Sequence, residues 1–292
     1  MATVDWPALQ DLFLGGSFPN KTSDWLAKRL RHMLRRMPHL RHLVIVAALP
    51  RHVRVRCCLL SRDPSSSPWQ HSLRSLVVAY PDHRDPVFSI PFSDLTYLSL
   101  RDWPRHYKTI APNQRGPWGS PILSATRALS ILRRLHAPGL TTLELVYRAD
   151  EADDELLVLI AQTFTKLRHI ELHRYRRSRD ESVDHHHIAR TLSAAPSLLR
   201  LRLHLDFKDD PGEYIDRFGT VSEDELDCDR YEQWRSQLAN LGWDILDAMN
   251  PCLSLKGVAL LDRVRQKASW LWLLRGQKGP REPVRDFSEG NW

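Results

Sequence analysis

Residues 165–172 read TKLRHIEL, and the spacing inside that phrase decides the fold. Ile170 and Leu172 are two apart, the period at which side chains on a β-strand share a face. Leu167 stands three residues earlier, in the turn that leads into the strand. The same Leu-x-x-Leu-x-Leu phrase follows at Leu198, Leu201 and Leu203 and precedes at Leu140, Leu143 and Leu145. Working outward, it returns at Leu95, Leu98, Leu100, at Leu73, Leu76, Val78, at Leu40, Leu43, Ile45 and at Leu9, Leu12, Leu14. A weaker copy is Leu255, Val258, Leu260. Leucine is common, so one copy means little. Eight copies, most with a turn residue just before them, make a repeat.

Successive copies start 31, 33, 22, 45, 27, 31 and 57 residues apart. Most of these spacings lie near the leucine-rich period of roughly 20–29 residues, and the two longest leave room for an insertion or a worn repeat. Helical periods fill the intervals. Leu156, Leu157, Ile160 and Phe164 share a face behind the acidic start Glu151, Asp153, Asp154, Glu155. Trp234, Leu238, Leu241 and Ile245 share another, as do Leu129, Leu132 and Leu135 ahead of Pro138, and Trp25 to Met37 ahead of Pro38. Strand, loop, helix, loop, strand predicts an α/β chain built as an irregular leucine-rich-repeat solenoid. A curved parallel sheet would line its concave side and helices its convex side. A doubly wound sheet would need longer β-branched strands and a Gly-rich phosphate loop, and neither is present. The array spans residues 1–274, with insertions near 61–70, 102–121 and 206–230. Residues 275–292 read as a disordered tail of Gly, Pro and charge.

The composition of the 292 residues is that of a folded, mildly basic chain, with 42% hydrophobic content and a net charge of +7. The four cysteines Cys57, Cys58, Cys228 and Cys252 form no C-x-x-C pair, so neither a zinc site nor a disulfide framework is predicted, and a reducing compartment is expected. The N-terminal residues do not read as a signal peptide, and the apolar runs are short for a membrane helix. The expectation is a cytoplasmic or nuclear protein. No G-x-S-x-G, P-loop, G-x-G-x-x-G, H-E-x-x-H or calcium-loop motif occurs. No enzyme, cofactor or metal is predicted. His185, His186 and His187 point in different directions on a helix and read as its solvated start. The basic run from Lys28 to Arg36 reads as the solvated face of a repeat helix. Trp270 and Trp272 read as one face of a final strand that caps the array.

The residues between the inward leucines point to the opposite face of each strand. Tyr97, Ser99 and Arg101, then Thr142, Glu144 and Val146, then His169, Glu171 and His173, then Arg200, Arg202 and His204 would form columns on the concave side. Neighbouring phrases at 167 and 198 would pair His169 with Arg200, Glu171 with Arg202 and His173 with His204. Concave solenoid surfaces bind partners. The predicted partner-binding residues are therefore Tyr97, Arg101, His169, Glu171, His173, Arg200, Arg202 and His204. Earlier copies place the apolar Val44, Val46, Val77 and Ala79 on the same face.

These irregular phrases, the helices between them and the final strand with Ala268-Ser269-Trp270-Leu271-Trp272 resemble the repeat region of fungal F-box/leucine-rich-repeat proteins. The resemblance covers roughly residues 6–274 as a pattern. It implies a substrate receptor of a cullin-RING ubiquitin ligase, whose N-terminal F-box binds a Skp adaptor. Here Trp6-Pro7-Ala8-Leu9 already begins a repeat, so the F-box is expected to be missing, and a Skp partner follows only if an F-box lies upstream. The function expected is a protein-protein interaction module. The alternatives are a free-standing scaffold and a nucleic-acid-binding protein that uses basic patches at 28–36 and 200–202. Nucleic acid is disfavoured among the partners, and no membrane association is expected.

Overall fold

The computed structural model describes residues 4–17, 23–50, 56–60, 72–106, 118–119, 121–210, 225–264, 267–276 and 284–286. Each of the eight phrases becomes a strand: β1 (Asp11–Ser17), β2 (His42–Pro50), β3 (Ser75–Ala79), β4 (Tyr97–Arg101), β7 (Thr142–Arg148), β8 (His169–Tyr175), β9 (Arg200–His204) and β10 (Gly257–Val264). They lie side by side in that order, every neighbouring pair parallel. Strands β11 (Lys267–Leu274) and β12 (Val284–Asp286) extend the sheet antiparallel beyond β10, and the sheet stays open. Strand β12 falls inside the segment expected as a disordered tail. Two short strands flank the path. β5 (Trp118–Gly119) pairs antiparallel with the end of β2, and β6 (Leu123–Ser124) pairs parallel with the end of β7.

The register follows the phrase. Leu12, Leu43, Leu76, Leu98, Leu143, Ile170, Leu201 and Val258 stand opposite one another, and so do Leu14, Ile45, Val78, Leu100, Leu145, Leu172, Leu203 and Leu260. A slip of one residue would turn a whole leucine column out of the core, so burial fixes the register. Leu40, Leu73, Leu95, Leu140, Leu167, Leu198 and Leu255, which open the phrases from β2 onward, are all buried beneath the turns.

Helices α1 (Ser23–Leu34), α2 (Ala125–Arg134), α3 (Asp153–Thr163), α4 (His185–Leu192) and α5 (Glu225–Ala248) fill the intervals. Their buried residues, among them Leu34, Leu129, Leu156, Ile188 and Leu238, join one cluster with the phrase leucines. The helices therefore share one face of the sheet, and α2 to α5 pack in chain order. Local chemistry sets where they begin. The Ser124 hydroxyl accepts from the Arg127 amide, and the Asp184 carboxylate accepts from the His187 amide. Helix α3 has no capping side chain of its own but opens on three acids, which suits the positive end of its dipole. No helix among the described residues is long and apolar enough to cross a membrane.

Residues 61–70 lie outside the described residues, as do 107–117, 120 and 211–224 within the other two expected insertions. The chain leaving β4 turns back over the sheet at Asp102 to His106. Helix α5 begins at Glu225, inside the third expected insertion.

Candidate functional site

The face opposite the helices carries a polar row. Ser99, Glu144, Glu171 and Arg202 stand opposite one another on β4, β7, β8 and β9, and the row continues to Ala259 and Trp272. Neighbouring strands are about 4.8 Å apart, close enough for each side chain to meet the next. Glu144 is the hub. Its Oε2 accepts from the Ser99 hydroxyl at 2.7 Å and the Tyr97 hydroxyl at 3.1 Å. Its Oε1 faces Arg105 Nη2 at 2.8 Å and Arg101 Nε at 3.7 Å. Burial would raise the Glu144 pKa. Arg105 and Arg101, helped by the Ser99 hydrogen bond, outweigh it and hold the carboxyl well below the usual range.

The network runs on. Arg105 also meets Asp102 at 3.2 Å and Glu171 at 3.6 Å. Glu171 meets His173 Nε2 at 3.0 Å and Arg202 at 3.3 Å. The Arg202 guanidinium lies over both Trp270 and Trp272, 5.2 and 5.6 Å from the ring centroids. These tryptophans share one face of β11, the antiparallel strand beyond the last repeat. With Ala259, Leu261 and Ala268 they form a second apolar cluster on the polar face. Beside them His173, His204 and Tyr175 meet edge to face, and His106 closes on Tyr175 at 4.6 Å. Burial, then Arg263 and His173, push the His204 pKa far down, so its ring is neutral.

Most of the expected binding face is not exposed. The predicted pairs His169–Arg200, Glu171–Arg202 and His173–His204 are the observed register. But Tyr97, His173 and His204 are buried, and Arg101, Glu171 and Arg202 are largely enclosed. The physical reason is neutralisation. Arg101, Arg105 and Arg202 meet Asp102, Glu144 and Glu171, so the charges satisfy one another under the turn that carries Arg105. Val46, Val77 and Ala79 on the early strands are buried as well. Glu144, Glu171 and His173 offer ligand atoms close enough for a metal ion. Three guanidiniums already occupy those carboxylates, which leaves no net negative field for a cation. The thiols are no better candidates as nucleophiles, since burial and then Asp85 raise both Cys57 and Cys58, the latter to about 12.

What stays accessible is the N-terminal edge of the sheet. The second residue of each phrase is Gln10, Arg41, Arg74, Thr96, Thr141, Arg168, Leu199 and Lys256 in strand order. A backbone ladder joins them. Arg74 N donates to Arg41 O, Thr96 N to Arg74 O, Thr141 N to Thr96 O, Arg168 N to Thr141 O, Leu199 N to Arg168 O and Lys256 N to Leu199 O, each at 2.8–2.9 Å. Arg74, Arg168 and Lys256 are exposed, Arg41 is half-buried, and the adjacent Arg200 is exposed. None of these five cations forms an ion pair among the described residues. Comparison with protein-family models, curated proteins and solved structures gave no match. Asp94 and Asp11 interrupt the edge, which leaves Arg41–Arg74 at β2–β3 and Arg168–Arg200–Lys256 at β8–β10 as its basic groups. His169 reports the local field. Burial, then Arg200, Arg168 and Arg202, lower its pKa. The sequence reading named Arg200 and His169 but missed Arg168 and Lys256, because it followed strand alternation and did not ask what the residue before each strand does.

Proposed function

We propose that this chain is a leucine-rich-repeat protein-binding module that takes an acidic segment of a partner protein along the N-terminal edge of its sheet. The observation that carries this reading is the group Arg168, Arg200 and Lys256. These cations are exposed at the entry to three consecutive strands with no acid to neutralise them among the described residues. Unpaired guanidiniums bind carboxylates bidentately, and exposed like charges gathered on adjacent strands attract an opposite field. The solenoid reading is supported by eight phrase strands in one register with helices on one face. A nucleic acid would suit the charge equally, but stacking platforms use exposed aromatic rings beside the basic groove. Trp270 and Trp272 are buried beneath Arg202.

The test is fluorescence anisotropy with a labelled Glu/Asp-rich peptide and a labelled single-stranded oligonucleotide of equal charge. The protein would be compared with its Arg168→Glu, Arg200→Glu, Lys256→Glu variant. The reading expects the peptide to bind at physiological salt and the triple variant to lose that binding with its thermal midpoint unchanged. Peptide binding that survives the reversal overturns it. Preference for the oligonucleotide, with affinity falling steeply as salt rises, replaces it with the nucleic-acid reading. The ligase-receptor role that the resemblance implies is a narrower form of the same proposal, and co-purification of a Skp adaptor tests it separately.

A further inference from the structure

The three consecutive histidines at the start of α4 divide between two neighbouring helices. His187 turns to α3, where its Nε2 meets Asp154 Oδ1 at 3.0 Å. His185 and His186 turn towards α5. Their rings lie 4.3 Å apart, centroid to centroid, and His185 Nε2 stands 4.0 Å from Asp244 Oδ2. One ligand atom from each of His185, His186 and Asp244 lies within 4.8 Å of the other two. Adjacent histidines on one helix do not converge on an ion by themselves. Here the third ligand comes from a different element, and packing of α4 on α5 brings it there.

The His185 ring is set up as a ligand. Its Nε2 is buried and has no hydrogen-bond partner. A buried ring nitrogen with no hydrogen-bond partner can offer its lone pair to a metal. His185 and Asp244 line a groove of about 630 Å³ together with Lys208 and the carboxylates of Asp180 and Asp209. These carboxylates offset the positive end of the α4 dipole, which would otherwise disfavour a cation there.

We infer that His185, His186 and Asp244 form a binding site for a divalent transition-metal ion, with the remaining coordination positions open to the groove. Two imidazoles and one carboxylate suit zinc, nickel, cobalt or copper better than magnesium or calcium. Donors in a tetrahedral zinc site stand about 3.3 Å apart. Asp244, with a half-exposed side chain, closes the 4.0 Å gap by a side-chain movement alone. The site is independent of the basic edge and of any partner bound there.

The experiment uses tag-free, chelator-treated full-length protein titrated with Zn2+ by calorimetry and with Co2+ by visible absorption. The expected result is one ion per chain, with a cobalt spectrum of low coordination number. His186→Ala and Asp244→Asn alter exposed side chains and should keep the fold. Each should weaken Zn2+ binding by roughly 10–100-fold, the scale on which disturbing a metal site acts. His187→Ala serves as the control and should leave the affinity unchanged. No stoichiometric binding by the parent protein overturns the inference. So does binding that survives both His186→Ala and Asp244→Asn, because the ion would then sit elsewhere. A loss in His187→Ala equal to that in His186→Ala overturns it as well.

Discussion

Arg105 Nη2 stands 2.8 Å from Glu144 Oε1, so a residue from the turn after β4 closes over a carboxylate buried on β7. This contact ties the return of the chain to the sheet beneath it. It also explains why the polar face is a structural network. The carboxylate accepts two hydroxyls on Oε2 and faces two guanidiniums with Oε1, so its charge is neutralised within the fold.

Removal of the Glu144 charge should be costly. Glu144→Gln takes one counter-ion from Arg105, which keeps Asp102 and Glu171, and leaves Arg101 enclosed without the acid it faces; breaking a buried pair from one side costs about 3–5 kcal/mol. Urea denaturation should show that loss. It should be partly recovered when Arg105→Gln is added, since the excess of positive charge in the network is then removed. A Glu144→Gln protein within 0.5 kcal/mol of the parent, against the ~3–5 kcal/mol expected for a buried pair, would mean that the network is solvated.

Acid should weaken the fold through its buried histidines, against an opposing contribution from Asp85, whose carboxyl burial pushes up to about 6. The folded His204 pKa lies far below the ordinary 6.5, and His169 is shifted the same way. Between those folded values and about 6.5 the unfolded chain binds protons that the folded chain refuses. Stability is then complete above about pH 6.5 and falls as pH drops, by at most about 1.4 kcal/mol per pH unit for each such group. Urea midpoints at pH 7.5, 6.0 and 5.0 should decline, and His204→Gln should flatten part of the slope. A midpoint constant over that range would exclude a neutral buried His204.

Leu145 sits in the middle of its column, fully buried between Leu100 and Leu172. Leu145→Ala should cost about 2–5 kcal/mol through the cavity it leaves. A loss below about 1 kcal/mol on that cavity scale would put the side chain at the surface and the register off by one.

The strands were legible because a leucine column carries its own register. Once Leu143, Ile170 and Leu201 are recognised as equivalent, the pairing of Glu171 with Arg202 follows by counting. The alternation that turned Tyr97 and His204 away from the core was also readable, but it says only which face a side chain takes. Whether that face is wet depends on what crosses it. Arg105 reaches Glu144 through the path of a turn, and Trp270 reaches Arg202 through an antiparallel strand added beyond the repeat. Neither contact follows from the period of the phrase. The same holds for Asp244, which meets His185 only because α4 packs on α5.

Arg200 and Arg202 are two residues apart on β9, yet they should separate binding from folding. Arg200 is exposed and makes no ion pair among the described residues, so Arg200→Glu should change stability by no more than about 0.5 kcal/mol. Arg202 meets Glu171 and lies over two tryptophan rings. Arg202→Ala should cost about 1–3 kcal/mol from the lost stacking and the half-enclosed ion pair, and should shift tryptophan emission as Trp270 and Trp272 lose their cover. The acidic peptide should respond in the opposite order, with binding weakened by Arg200→Glu and nearly unchanged by Arg202→Ala in protein that remains folded. If Arg202→Ala abolishes binding at a temperature where the variant is fully folded, the partner reaches into the polar row, and the edge of the sheet is not the site.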